Sequence, residues 1–279
     1  MYYLLLLDDG HGSNTPGKRT PIFPPGHPRA GEFMPENEFN HAVKKKIVSK
    51  LAHKDAEDMF EVFVVAPGDL DWSINDRVNR SNRRFAELRT QYGSDNVKAA
   101  FVSIHANAFR GYWSTEWGGV ETLHFPGSRE GIKLAQFIQD ELKKEEGLRD
   151  RGLKPRGDLG VLRGTRMPAC LVEAAFMDNP NEADLLICDD YRARTADRII
   201  TGVMNYFDIK DFEFRNVDKA DHPMVESVIE NQVEKSADNS KVIAGLKSEI
   251  SSIREQLNGL VSSLDNVIFE IEKADKQKS

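Results

Sequence analysis

Cysteine is scarce: Cys170 and Cys188 are the only two in 279 residues, and they form no C-x-x-C arrangement. This excludes a disulfide framework and a cysteine-based zinc site, and it fits a reducing compartment with both thiols as small core fillers. No run of about 18 uncharged apolar residues occurs, so no membrane insertion is expected. The apolar opening Met1-Tyr2-Tyr3-Leu4-Leu5-Leu6-Leu7 has no basic flank and runs straight into Asp8-Asp9. It reads as a buried strand rather than a signal peptide, which predicts synthesis in the cytoplasm. Basic excess is missing too. With 38 Lys and Arg against 45 Asp and Glu, the net charge is −7, which argues against a nucleic-acid binder, whose affinity would come from a basic face.

What is present is enough chain to bury a sizeable core, with 39% hydrophobic and 30% charged residues, as in soluble globular proteins. All tryptophans, all tyrosines and every phenylalanine but Phe269 lie before residue 218, which marks a domain boundary. Upstream, strand-like runs at residues 3–7, 62–65, 101–104, 120–125 and 170–172 alternate with helical patterns at 36–52, 73–92, 129–145 and 181–207. Such alternation predicts an α/β fold with a largely parallel central sheet flanked by helices. Downstream, Ile243, Leu246, Ile250, Ile253, Leu257, Leu260, Leu264, Val267 and Ile271 step alternately by three and four, a heptad seam. A stripe this narrow requires a partner helix, so self-association is favoured over folding back on the first domain. The predicted organisation is a catalytic domain over 1–212, a linker or helical hinge over 213–240 and a C-terminal coiled-coil oligomerisation helix over 241–279.

Three apolar runs of the first domain end in ionisable residues among small or polar ones: Asp8-Asp9-Gly10-His11-Gly12, Ser103-Ile104-His105-Ala106-Asn107 and Cys170-Leu171-Val172-Glu173-Ala174-Ala175. Carboxyl ends of neighbouring parallel strands share one crevice, so these segments can converge. Two imidazoles and a carboxylate suit Zn²⁺ and leave a fourth position open, the arrangement of catalytic zinc. The segment between the histidines offers Glu32, Glu36 and Glu38 as the third ligand. Glu36 is preferred because it follows Pro35 at a helix start, with Asn40 one turn on along the same face. His27, His41, His53, His124 and His222 are read as non-ligands.

The ordered set Asp9-Gly10-His11-Gly12, Glu36 with Asn40, Ile74 with Arg77 and Asn82, Ser103-Ile104-His105-Ala106-Asn107, Gly119-Val120-Glu121-Thr122, and Pro168-Ala169-Cys170-Leu171-Val172-Glu173-Ala174-Ala175-Phe176-Met177-Asp178-Asn179 resembles the zinc-dependent N-acetylmuramoyl-L-alanine amidases of the Amidase_3 type. It spans nearly all of residues 1–210. The resemblance implies a six-stranded α/β domain that cuts peptidoglycan at the amide between the lactyl group of N-acetylmuramic acid and L-alanine. It further implies zinc held by His11, Glu36 and His105, with Glu173 matching the catalytic glutamate that takes a proton from zinc-activated water and later protonates the departing amine. Ala175 stands where the family usually has glycine, and Ser13 where it often has another; neither change removes a functional group.

Loops 14–28 and 108–119, the latter with Trp113 and Trp117, have no counterpart in that pattern. Asn107 is a further substrate-contact candidate. Arg163 and Arg166 could meet stem-peptide carboxylates. A wall-cutting enzyme without an export signal resembles a phage or prophage endolysin, acting on the cell wall after release, with peptidoglycan as substrate and the coil making a homo-oligomer or docking on another protein. The rival readings are a coiled-coil interaction protein with an inactive wall-binding domain, against which the intact His11, Glu36, His105 and Glu173 count, and a zinc peptidase cutting within the stem peptide.

Overall fold

The protein is described by a computed structural model covering residues 1–51 and 59–210. The expected linker at 213–240 and coiled coil at 241–279 lie outside the described residues. Six strands, β1 (Tyr2–Asp9), β2 (Phe60–Val64), β3 (Val97–Asn107), β4 (Val120–His124), β5 (Asp150–Pro155) and β6 (Ala169–Phe176), form one sheet in the order β2-β1-β3-β6-β4-β5. The β1 strand runs parallel to β2 and β3, and β3 parallel to β6. The β4 strand is antiparallel to β6, and β5 follows β4 in parallel, so the sheet is mostly but not wholly parallel.

The uninterrupted leucines of β1 are explained by burial on both faces, since successive side chains of a strand point to opposite sides. Leu5 and Leu7 enter one core with Phe39, Val43 and Ile47 of α1 (Glu36–Leu51), Leu134 and Ile138 of α3 (Arg129–Leu142), and Ile199, Ile200 and Val203 of α6 (Asp189–Phe207). Leu4 and Leu6 enter the other, with Phe101 of β3, Leu88 of α2 (Ile74–Tyr92), and Val161 and Leu162 of α4 (Gly160–Gly164). Helices therefore cover both faces, as the alternating pattern predicts.

Three elements differ from the sequence reading. The helix expected over 181–207 is two, α5 (Pro180–Ile187) and α6, because Cys188 adopts an extended conformation (φ −79°, ψ 123°) between them. Strand β5 carries no apolar run; as an edge strand with Asp150, Arg151, Lys154 and Pro155 it has the composition that discourages further strand pairing. Helix α4 spans only five residues, too few to show a period. Among the described residues no helix is long and apolar enough to cross a membrane.

The two acids ending β1 face opposite layers. Asp9 turns toward α1, where the fully buried Lys44 places its Nζ 2.6 Å from Oδ2, and His41 Nδ1 lies 3.0 Å from the same oxygen. Asp8 turns toward α2 and pairs with the buried guanidinium of Arg77. These charge pairs lock the end of β1 to both helical layers and fix where the following loop begins.

Candidate metal centre

Neighbouring strands bring the chemistry together. His105 lies opposite Glu173 in the β3–β6 register, and Asp8 opposite Ser103 in the β1–β3 register. His11 sits just past the end of β1, and Glu36 opens α1 after a long loop. That loop is pinned beside the helix start: Arg19 and Pro35 form an antiparallel bridge, and the Glu36 amide donates to the Lys18 carbonyl at 2.9 Å. Phe23 and Met34, both buried in the core, anchor its middle and end.

One ligand atom each from His11, Glu36 and His105 lies within 4.8 Å of the others. Glu36 is shared: Oε2 is 3.3 Å from His11 Nε2, and Oε1 is 2.8 Å from His105 Nδ1. Tetrahedral zinc with bonds of about 2.0–2.1 Å sets neighbouring ligand atoms roughly 3.3 Å apart, so this donor set fits such an ion with little adjustment. The imidazoles stand edge to face, with ring centroids 5.0 Å apart and planes at 90°. Of the three acids considered, Glu36 joins the histidines. Glu32 and Glu38 instead hold Arg29, and Glu38 also holds Arg192.

The backbone of the Gly10–His11 turn is made to fit. A Cβ on Gly10 would lie 2.0–2.5 Å from atoms of the His105 ring, so only glycine allows the imidazole to rest against the chain there. His11 has φ of 62°, a left-handed conformation that costs about 1 kcal/mol for a non-glycine residue. Asn37 Nδ2 donates to the His11 carbonyl at 3.2 Å and Asn40 Nδ2 to the Gly10 carbonyl at 2.9 Å, so one face of α1 holds the turn.

Electrostatics distinguish the groups. Burial pushes His11 down to about 4, keeping it neutral, the form that ligates metal. Burial alone would raise Glu36, but the hydrogen bond and charge of His105, aided by His11, hold its carboxyl below the usual range. His105 is raised, because the hydrogen bond and charge of Glu36 outweigh its burial. Burial pushes Glu173 up to about 8, against the opposing charge of His105. Its Oε2 is buried without a hydrogen-bond partner, so this carboxyl is poised to exchange a proton. A divalent cation nearby would draw it toward its ionised form.

His11, His105 and Glu173 line a cavity of about 550 Å³. Trp72, Ile74 and Leu159 supply apolar wall, and Lys18, Arg77 and Arg156 supply positive charge. Arg163 and Arg166 are exposed and do not line it. Asn107 is engaged within the protein, donating to Glu121 Oε1 at 2.9 Å and accepting from the Ala108 amide at 2.9 Å. His27, His41 and His124 lie outside the His11–Glu36–His105 cluster, while His53 and His222 lie outside the described residues. Trp117 is buried and donates to Asp178 Oδ1 at 2.9 Å; Trp113 donates to the Ile22 carbonyl at 3.0 Å. Sequence reasoning missed Lys18 and Arg156, which stand alone in irregular segments, and Ser103, whose signal was its place two residues before His105 on one strand face.

The family model described as N-acetylmuramoyl-L-alanine amidase matches residues 5–205. The chain is 27% identical over 206 residues to the germination-specific N-acetylmuramoyl-L-alanine amidase of Bacillus subtilis, covering 73% of this chain and 79% of that one. It is 29% identical over 215 residues to the endolysin of Bacillus phage SPP1, covering 75% of this chain and 68% of that one. Among solved structures, the N-acetylmuramoyl-L-alanine amidase from Clostridium difficile 630 superposes with a TM-score of 0.58 at 29% identity, covering 75% of this chain and 98% of that one. The matched stretch encloses His11, Glu36, His105 and Glu173 together, and the chain belongs to the Amidase_3 family, as an N-acetylmuramoyl-L-alanine amidase.

Proposed function

We propose that this amidase hydrolyses the amide between the lactyl group of N-acetylmuramic acid and L-alanine in peptidoglycan, with zinc held by His11, Glu36 and His105 and with Glu173 moving the proton. The observation that carries this reading is a carboxyl with a buried, unpartnered oxygen that shares one cavity with two histidines of a three-donor cluster. Zinc in such a donor set acidifies water and polarises a carbonyl oxygen. Glu173 takes a proton from water as its oxygen joins the lactyl carbonyl carbon. It then delivers that proton to the amide nitrogen as the C–N bond breaks, and the remaining water proton passes from the lactyl carboxyl group to the freed amine, leaving a lactyl carboxylate and an L-alanine ammonium. Trp72, Ile74 and Leu159 offer the substrate an apolar wall. Lys18 offers positive charge to stem-peptide carboxylates, the part first expected of Arg163 and Arg166, while Arg156 also lines the cavity but is paired with Asp158 at 2.7–2.8 Å.

Digestion of purified sacculi, with the new amine identified by mass spectrometry, tests the bond. Free L-alanine termini are expected. Termini from within the stem peptide would replace the reading with a peptidase, and none at all would favour a wall-binding domain without turnover. Purified protein is also expected to carry about one zinc per chain and to lose activity reversibly to a chelator.

We also propose that residues 241–279 self-associate through the heptad seam, so that linked active sites raise avidity for a repetitive polymer such as the wall. Light scattering is expected to give an oligomer for the full chain and a monomer for a chain ending near residue 212; two monomers would reject the proposal.

A further inference from the structure

His105 makes polar contacts at both ring nitrogens. Nδ1 faces Glu36 Oε1 at 2.8 Å, and Nε2 lies 3.1 Å from Ser103 Oγ. Ser103 has a single hydroxyl hydrogen, and its Oγ lies 2.6 Å from Asp8 Oδ2. Asp8 is in turn committed, since its other oxygen is paired with Arg77 Nη1. Arg77 is itself fixed by the Asp9 carbonyl at 2.8 Å, the Trp72 carbonyl at 2.9 Å and Asp71 at 2.9 Å. Asp8, Ser103 and Arg77 are all buried.

The direction of every hydrogen bond in this chain follows from counting protons. An ionised carboxylate can only accept, so Ser103 must spend its hydrogen on Asp8. The serine oxygen can then only accept from His105, which requires the proton to sit on Nε2. Nδ1 is then the nitrogen that faces Glu36, sharing a proton with Oε1 when no metal is bound, and the one a cation would take up in place of that proton. The strand geometry supports this, because Asp8 and Ser103 are register partners while Ser103 and His105 share a strand face.

We infer that Asp8 and Ser103 are positioning residues that set the tautomer of His105, so that the imidazole offers Nδ1 to the metal. A histidine ligand normally hands its second N–H to a carboxylate, carbonyl or water. Here a serine hydroxyl stands between the ring and the carboxylate, whose other oxygen is paired with the buried Arg77 guanidinium. The inference rests on the reading of His105 as a zinc ligand.

Zinc affinity of the full chain, measured by competition with a chromogenic chelator, tests it. Ser103→Ala is expected to weaken zinc binding about 10–100-fold, and Ser103→Thr, which keeps a hydroxyl, to restore most of the loss. Melting temperatures in excess chelator establish that both variants fold. Independently of any variant, the ¹⁵N-histidine spectrum of the zinc-loaded wild type is expected to show one ligand ring bound through Nδ1 and protonated at Nε2, with that resonance lost or shifted in Ser103→Ala. A wild type that binds one zinc while Ser103→Ala binds it within twofold as tightly, or whose spectrum shows only Nε2-bound rings, overturns the inference alone. A wild type that binds no zinc overturns the metal reading with it.

Discussion

Glu173→Gln is expected to keep its zinc and lose its turnover. The side chain lines the cavity but stands outside the cluster formed by His11, Glu36 and His105, so metal content should match the wild type. The amide has nearly the shape of the acid but cannot take a proton from water, and loss of general acid–base catalysis costs about 10²–10⁴-fold in rate. Release of soluble fragments from sacculi, measured alongside zinc content, checks both halves. Turnover within threefold of wild type would remove Glu173 from the proton-transfer role.

The same variant carries a stability signature. Between the ordinary carboxyl value and about 8, the metal-free folded protein holds a proton on Glu173 that the unfolded chain releases. Stability in chelator should therefore fall as pH rises through that window, and the glutamine variant should lose this fall.

Lys44→Met is expected to destabilise the domain by about 3–5 kcal/mol, because it leaves the buried Asp9 carboxylate without its main counter-charge. One oxygen of Asp9 already has no hydrogen-bond partner, which leaves little to offset the loss. His41 Nδ1, 3.0 Å from the other oxygen, then remains as a neighbouring polar side chain. Urea denaturation measures the loss, and adding Asp9→Asn to Lys44→Met should recover much of it. A loss below about 0.5 kcal/mol would mean that the pair contributes nothing beyond packing. Because Asp9 precedes Gly10 and His11, the damage should reach the metal centre as weakened zinc uptake.

The β1 leucines, the helix start after Pro35 and the three acid or histidine segments were legible because each is written locally, as a continuous apolar run, a capping pattern or an ionisable residue at a strand end. Glu36 was preferred over Glu32 and Glu38 on such local grounds, and the structure brings it to both histidines. Substrate contacts were less accessible. Arg163 and Arg166 stand close together in sequence while Lys18 and Arg156 stand alone in irregular segments, but nothing local says which loops border the cavity. The reversal of β4 and β5 and the break at Cys188 likewise left no periodic trace.

The amino-acid order alone determined the class of fold, the family and the identity of the groups that gather around Glu36, because periodicity and motif are properties of neighbouring residues. Tertiary structure alone decided that Ser103 and Asp8 stand behind His105, that Asn107 is spent on Glu121, and that burial pushes Glu173 up to about 8. Those outcomes depend on distance and desolvation between segments up to 95 residues apart, as Asp8 and Ser103 are, and they come into being only when the strands pair.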